Sequence, residues 1–99
     1  MRLNFKIIPS PARLGEAVQL TAIDIIHGGF GRHEGSVVLV ASDGAEEPLR
    51  IDHWLPFGVE ATLPPVAPGP GPYVVRVQTA APLDEQGETG LELTEPAAR

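Results

Sequence analysis

Residues 16–26, Glu-Ala-Val-Gln-Leu-Thr-Ala-Ile-Asp-Ile-Ile (EAVQLTAIDII), alternate polar and apolar side chains from Val18 to Ala22. Side chains two positions apart share one face of a β-strand, so this alternation predicts a strand with Val18, Leu20 and Ala22 toward a core. Ile23 and Ile25 then break the phase and place apolar side chains on the opposite face. The stretch therefore predicts a strand, and it raises the question of what covers its second face.

Period-two patterns of this kind recur along the chain, whereas no window repeats apolar residues at the helical period. Eleven glycines and eleven prolines separate the patterns. Seven short strands that each have one apolar face predict an all-β immunoglobulin-like sandwich of two antiparallel sheets, with a small barrel as the alternative. The predicted strands are A at 2–8, B at 16–26, C at 36–42, D at 48–54, E at 58–63, F at 73–79 and G at 89–94.

The predicted core consists of the alternate apolar positions of these strands. Its members are Leu3, Phe5, Ile7, Val18, Leu20, Ala22, Val37, Leu39, Ala41, Leu49, Ile51, Val59, Ala61, Leu63, Tyr73, Val75, Val77, Leu91 and Leu93.

Length and composition limit the possible functions. The 99 residues suit one domain spanning 1–99, and the absence of cysteine excludes disulfides and thiolate metal sites. The formal charge of −6 and the lack of any basic residue between Arg76 and Arg99 disfavour nucleic-acid binding, which needs a basic patch. No run approaches the roughly 20 apolar residues of a membrane span, and no signal-peptide core is present, so we expect a cytoplasmic protein without a membrane partner. A domain of a longer exported protein is the alternative, since it would show the same pattern.

Two prolines follow strand A directly. Pro9 and Pro11 cannot donate hydrogen bonds to a neighbouring strand. Strand A is therefore predicted to be an edge strand that kinks or switches sheets near Ser10.

Residues 11–22 (PARLGEAVQLTA) and 71–77 (GPYVVRV) resemble strands B and F of bacterial immunoglobulin-like and fibronectin-III-like modules. In such modules a tyrosine at the start of strand F caps the preceding corner through its hydroxyl group, and the resemblance implies this role for Tyr73. The chain departs from antibody-type domains because it has no cysteine pair and because Trp54 follows strand D. The proline-rich segment 64–72 is interpreted as a stiff connection, with a polyproline II ligand as the alternative.

The glycine-rich stretch 25–35 (IIHGGFGRHEG) contains two histidines but matches no phosphate-binding or RNA-binding motif. Strand parity places His27 and His33 at the same pole as His53 and as the acidic residues Asp84, Glu85 and Glu88. Imidazoles with carboxylates are ligands for Zn²⁺ or Cu²⁺. A metal-binding or small-ligand-binding sandwich using His27, His33 and His53 is therefore the alternative functional hypothesis, whereas the preferred reading needs no cofactor.

Catalysis is not indicated by the sequence. The serines Ser10, Ser36 and Ser42 lie at strand edges without the context of a nucleophile elbow. Adjacent carboxylates occur at Glu46 and Glu47 and in the F–G loop, where solvation explains them. We therefore predict that the protein is not an enzyme.

The main anomaly of the sequence is the presence of apolar residues on strand faces that should be exposed to solvent. A contiguous exposed apolar patch commonly marks an interface, unless a β-bulge re-phases strand B. The predicted interface residues are Ile8, Ile23, Ile25, Val38, Val40, Val74, Trp54 and Phe57, with Trp54 pointing outward from strand D.

The preferred functional hypothesis is a non-catalytic protein-protein interaction module that self-associates or docks into a larger complex through this apolar sheet face. The pole loops 27–35 and 80–90 form a second predicted contact surface. A carbohydrate-binding module around Trp54, Phe57 and Tyr73 is a further alternative, because aromatic rings stack on sugars.

Overall fold

The computed structural model describes residues 3–9, 11–23, 29–81 and 83–94, excluding the side chain of Thr94. Within these ranges the chain is all-β and contains no helix. The strands are β1 (Phe5–Ile8), β2 (Ala12–Arg13), β3 (Ala17–Ala22), β4 (Ser36–Val40), β5 (Glu46–Pro48), β6 (Arg50–Leu55), β7 (Gly58–Thr62), β8 (Tyr73–Gln78), β9 (Gln86–Leu91) and β10 (Leu93–Thr94).

Two four-stranded antiparallel sheets form the body of the fold. Sheet 1 has the order β1-β3-β7-β6, and sheet 2 has the order β5-β4-β8-β9. The short strands β2 and β10 pair in parallel beside them. The two sheets face each other in a sandwich-like arrangement, because each contributes its alternate apolar residues to one shared core.

The core agrees closely with the alternation of the sequence. Every predicted core residue is buried except Ile51, Tyr73 and Leu93, which pack against the core while partly exposed. Three residues that were not predicted also contribute: Ala12 and Phe30 belong to the buried core, and Trp54 packs against it.

Strand D of the prediction is divided between the two sheets. Its first part, β5, pairs with β4 in sheet 2, and its second part, β6, pairs with β7 in sheet 1. The chain changes sheets at Leu49, which is buried and whose N–H donates to Val37 O at 2.8 Å. The described residues thus form ten strand segments where the sequence predicted seven, since D and G each correspond to two and β2 lies outside every predicted strand.

The prediction that strand A is an edge strand is confirmed. β1 is an edge strand of sheet 1, and β2, beyond Pro9 and Pro11, pairs instead with β10, the continuation of β9 from sheet 2. Ser10 itself lies outside the described residues. Prolines after β1 end its pairing with β3, as expected from the missing N–H groups.

A β-bulge in β6 corrects the predicted orientation of Trp54. Ile51 pairs with Ala61 and His53 pairs with Glu60, so Asp52 has no opposing residue. The extra residue reverses the phase: Trp54 packs inward against the core and His53 is exposed. The prediction that Trp54 points outward is wrong, because strict alternation does not anticipate a bulge.

Strand parity places the connections at two poles, as predicted. The upper pole comprises segments 29–35, 55–58 and 79–85, and the lower pole comprises 41–45 and 63–72.

Candidate functional site

The described part of the glycine-rich loop, residues 29–35, is built around a buried aromatic ring. Phe30 is fully buried, and its ring lies 6.0 Å from that of Phe5 and 5.9 Å from that of Trp54. The indole Nε1 of Trp54 donates to Gly31 O at 3.0 Å, and the N–H of Phe30 donates to Pro56 O at 2.7 Å. The loop therefore closes the upper end of the core.

Close packing accounts for three glycines of this loop. A Cβ atom on Gly29 would collide with Pro56 O, and one on Gly35 would collide with Gln78 O. A Cβ on Gly31 would lie 2.8 Å from Cδ1 of Leu83 in the F–G loop. Gly29 and Gly31 also have positive φ, at 55° and 79°, which L side chains rarely adopt. The three glycines thus allow the glycine-rich loop to pack closely against neighbouring parts of the upper pole. This role in packing was not evident from the sequence.

The titratable residues of the upper pole are dispersed over its surface. His33, Glu34 and Asp84 are exposed in loops, whereas His53 lies exposed on the outer face of sheet 1. Among the residues that the structure describes, no three histidine or carboxylate side chains are grouped to hold a metal ion. His27 lies outside the described residues, so the zinc or copper site with His27, His33 and His53 stays a prediction.

Two grooves lie at the lower pole. One, of about 300 Å³, is lined by Pro11, Gly71, Pro72, Tyr73, Leu91, Glu92 and Leu93. The other, of about 350 Å³, is lined by Gly15, Glu47, Pro48, Arg50, Thr62, Leu63, Pro64 and Pro65. Neither contains a histidine, so neither groove coincides with the predicted histidine site.

The proline-rich segment 64–72 is tied to its neighbours. The hydroxyl of Tyr73 donates to Gly69 O at 2.7 Å, the cap that the resemblance implied. Ser42 donates to Pro70 O through both its N–H, at 2.9 Å, and its hydroxyl, at 3.1 Å. These contacts favour the interpretation of a stiff connection.

The three aromatic residues of the carbohydrate hypothesis do not form one surface. Trp54 is half-buried under the glycine-rich loop, and Phe57 lies in the turn at the upper pole. Tyr73 begins β8 at the lower pole. A sugar-stacking platform made of all three is therefore not formed.

The outer face of sheet 1 carries most of the strongly exposed apolar residues. On this face Ile8 is 52% exposed, Ile23 64% and Leu55 41%, and Phe57, in the adjoining turn at the upper pole, is 59% exposed. Leu55 pairs with Gly58, which pairs with Thr21, and Ile23 follows two positions after Thr21. We call Ile23, Leu55 and Phe57 the upper patch.

Gly58 leaves a gap beside the upper patch. A Cβ atom built on Gly58 would have its nearest neighbours, Leu20 O and Gln19 Nε2, at 3.7 and 3.9 Å. No side chain therefore separates Leu55 from Thr21 on this face. Of the upper patch, sequence analysis missed only Leu55, although it lies in the predicted apolar motif Trp54-Leu-Pro-Phe57.

Charges on the outer face of sheet 1 balance. Lys6 and Arg50 are matched by Asp52 and Glu60. At the bulge, the hydroxyl of Thr62 donates to Asp52 Oδ2 at 2.6 Å, and Arg50 Nε donates to Asp52 Oδ1 at 2.9 Å. The hydrogen bond from Thr62, and secondly that from Arg50, lower the pKa of Asp52 below its ordinary value.

The predicted valines lie on the other sheet. Val38, Val40 and Val74 are half-buried on the outer face of sheet 2, with Arg76 among them. We call these four residues, together with Pro48, Glu46 and Glu88, the valine face. The predicted apolar set is thus divided between two opposite faces, whereas Ile25 lies outside the described residues.

The comparisons with known proteins concern the fold. Comparison of the sequence with known protein families and with curated proteins gives no match. In its fold the chain is similar to a DUF4785 family protein from Legionella pneumophila, with a TM-score of 0.54 and 16% sequence identity. The match covers 92% of this chain and 28% of that protein, so this chain spans less than a third of its length. Within the described ranges, no helix is long and apolar enough to cross a membrane.

Proposed function

We propose that this chain is a non-catalytic, immunoglobulin-like assembly module that binds a second copy of itself through the outer face of sheet 1. The fold assignment is supported by the strand orders β1-β3-β7-β6 and β5-β4-β8-β9, which correspond to ABED and C′CFG of such domains. The hydrogen bond from Tyr73 to Gly69 at the E–F corner also supports it.

The observation that carries this proposal is the concentration of exposed apolar side chains on one face. Five large hydrophobic side chains are exposed in the described part of the chain, and four of them, Ile8, Ile23, Leu55 and Phe57, lie on sheet 1 or its upper rim. The fifth, Val66, lies in the lower pole. Ile23, Leu55 and Phe57 lie together at the upper end of sheet 1, whereas Ile8 lies toward the other end, where it pairs with Gln19. Such a cluster of exposed apolar side chains favours an interface over a solvated face.

The charges favour a second copy as the occupant of this face. The net charge of −6 opposes association of two copies in general, but the outer face of sheet 1 is formally neutral. A two-fold arrangement can bring Lys6 of one copy toward Glu60 of the other, since both are exposed on this face.

The size of the face sets the expected strength. Four strands about 4.8 Å apart and about five residue spacings of 3.3 Å give a face of about 14 by 17 Å. The area of this face is smaller than the roughly 800 Å² of surface that each partner contributes to a standard stable interface. We therefore expect weak association that depends on concentration.

Sedimentation of matched variants tests the proposal. The wild type should sediment increasingly as a dimer at high concentration, whereas the double variant Ile23→Ser, Phe57→Ser should remain monomeric. Val66→Ser is the control, because Val66 is 73% exposed, more than either residue, but lies off the face. A wild type that stays monomeric, or equal loss of dimer in the Val66→Ser variant, would contradict the proposal.

A further inference from the structure

The valine face has an apolar centre that Arg76 crosses. Arg76 pairs with Val38 on β4 and with Glu88 on β9, whereas Glu46 lies on β5, on the far side of β4. Arg76 Nη2 is nevertheless 3.0 Å from Glu46 Oε2, and Arg76 Nε is 3.3 Å from Glu88 Oε2. The arginine side chain therefore extends across β4, and its guanidinium binds a carboxylate on each side.

The charge that this face presents to solvent is negative. The side chains of Glu46 and Glu88 are 48% and 47% exposed, against 27% for Arg76. Both contacts occupy the guanidinium, and hydrogen bonding to Glu46, and less strongly to Glu88, raises the pKa of Arg76. Asp84 and Glu85 precede β9 and Glu92 follows it, and the sequence from 77 to 94 contains no basic residue.

The apolar centre has room for a partner side chain. Val74 pairs with Gly90 on β9, and a Cβ atom on Gly90 would meet nothing within 4 Å. Val74 is therefore uncovered on this flank. Pro48 is exposed beside Val38 on the opposite flank.

From this charge pattern we propose that the valine face binds a protein surface that has an apolar centre surrounded by lysine or arginine residues. Basic side chains would pair with the exposed oxygens of Glu46 and Glu88, while an apolar side chain contacts Val74 beside Gly90. A second copy is disfavoured here because it would bring carboxylates against carboxylates. This partner is additional to the copy bound at sheet 1, so the two faces are independent.

Titration with defined peptides, followed by ¹H–¹⁵N spectra of the whole chain, tests this proposal. The probe is the heptapeptide KLKLKLK, with ELELELE and KSKSKSK as controls for charge and for apolar content. We expect KLKLKLK to shift the amides of Val38, Val40, Val74 and Glu88, with an affinity that falls as salt is added. ELELELE should cause no shift, and KSKSKSK should bind at least about fivefold more weakly, which corresponds to about 1 kcal/mol.

Two variants locate the binding. Val74→Asp and the isosteric pair Glu46→Gln, Glu88→Gln should each weaken KLKLKLK binding at least about fivefold, whereas Thr21→Asp on sheet 1 should not change it. The double variant retains the shape of the face, so it remains informative if Val74→Asp does not fold. No shift with KLKLKLK, equal shifts with ELELELE, or shifts confined to other residues would overturn the proposal.

Discussion

Phe30 and its flanking glycines show how single residues determine the upper end of the molecule. The sequence stretch 25–35 attracts interest for its histidines, yet in its described part, 29–35, the fully buried side chain is Phe30, which contacts Phe5 and Trp54. Removing a buried phenylalanine ring from such a core costs about 3 to 5 kcal/mol. The principal contribution of the described part of this stretch is therefore to folding.

Gly29 offers a sharp test at this scale. Gly29→Ala should destabilise the protein more than Gly15→Ala, by about 1 to 3 kcal/mol in the free energy of unfolding. Both glycines have positive φ, so alanine incurs a cost in backbone conformation at either position. An added Cβ collides with Pro56 O at Gly29, whereas it meets nothing within 4 Å at Gly15. Denaturant unfolding measures this difference in the free energy of unfolding, provided that the dependence of that free energy on denaturant concentration has the same slope in both variants. Equal destabilisation of the two variants would show that the loop does not pack on Pro56.

At the scale of elements, alternation of residues predicted the strands well but not their irregularities. Val18, Leu20, Val75 and Val77 are buried as expected, because side chains two apart share one face of a strand. The bulge at Asp52 and the change of sheet at Leu49 were missed, since both depend on pairing with distant strands. The orientation of Trp54 was wrong for this reason.

The bulge in β6 has a testable electrostatic signature. The hydrogen bond from Thr62 and that from Arg50 lower the pKa of Asp52, so carboxyl NMR should give a value below that of an unperturbed aspartate. Thr62→Val and Arg50→Gln should each raise this pKa toward the ordinary value, because each removes a hydrogen bond to the carboxylate.

The lowered pKa of Asp52 also predicts how the destabilisation caused by Thr62→Val depends on pH. Because the pKa of Asp52 is lower in the folded than in the unfolded protein, the ionised carboxylate stabilises the fold at any pH above the pKa of the unfolded state. This stabilisation is lost as the pH falls through the pKa of the folded state. The difference in unfolding free energy between wild type and Thr62→Val should thus be larger at neutral pH than in acid. An Asp52 that titrates normally in the wild type would exclude this network in solution.

At the scale of the whole molecule, two chemically different outer faces lie on opposite sheets. Sheet 1 presents exposed apolar residues with balanced charge, whereas sheet 2 presents valines beneath Arg76 with exposed carboxylates. The sequence predicted that Ile8, Ile23 and Phe57 belong to an interface, and these are among the most exposed large hydrophobic residues of the described chain. It could not predict the division between faces, because that depends on which sheet each strand joins.

Two of the edge strands, β6 and β5, are poorly suited to strand-by-strand association. β6 is interrupted by the bulge at Asp52 and carries exposed charges, and β5 has three residues ending at Pro48. Both features oppose edge-to-edge pairing. Association is therefore expected through faces, which directs the decisive measurement to the outer face of sheet 1.

The most direct test of the central claim is the dependence of ¹H–¹⁵N spectra on protein concentration from about 10 μM to about 1 mM. Self-association through sheet 1 predicts progressive shifts of the amides of Lys6, Ile23, Phe57 and Gly58, with those of Val38 and Val74 unchanged. Spectra that do not change with concentration, or shifts that map to Val38 and Val74 instead, would contradict the account.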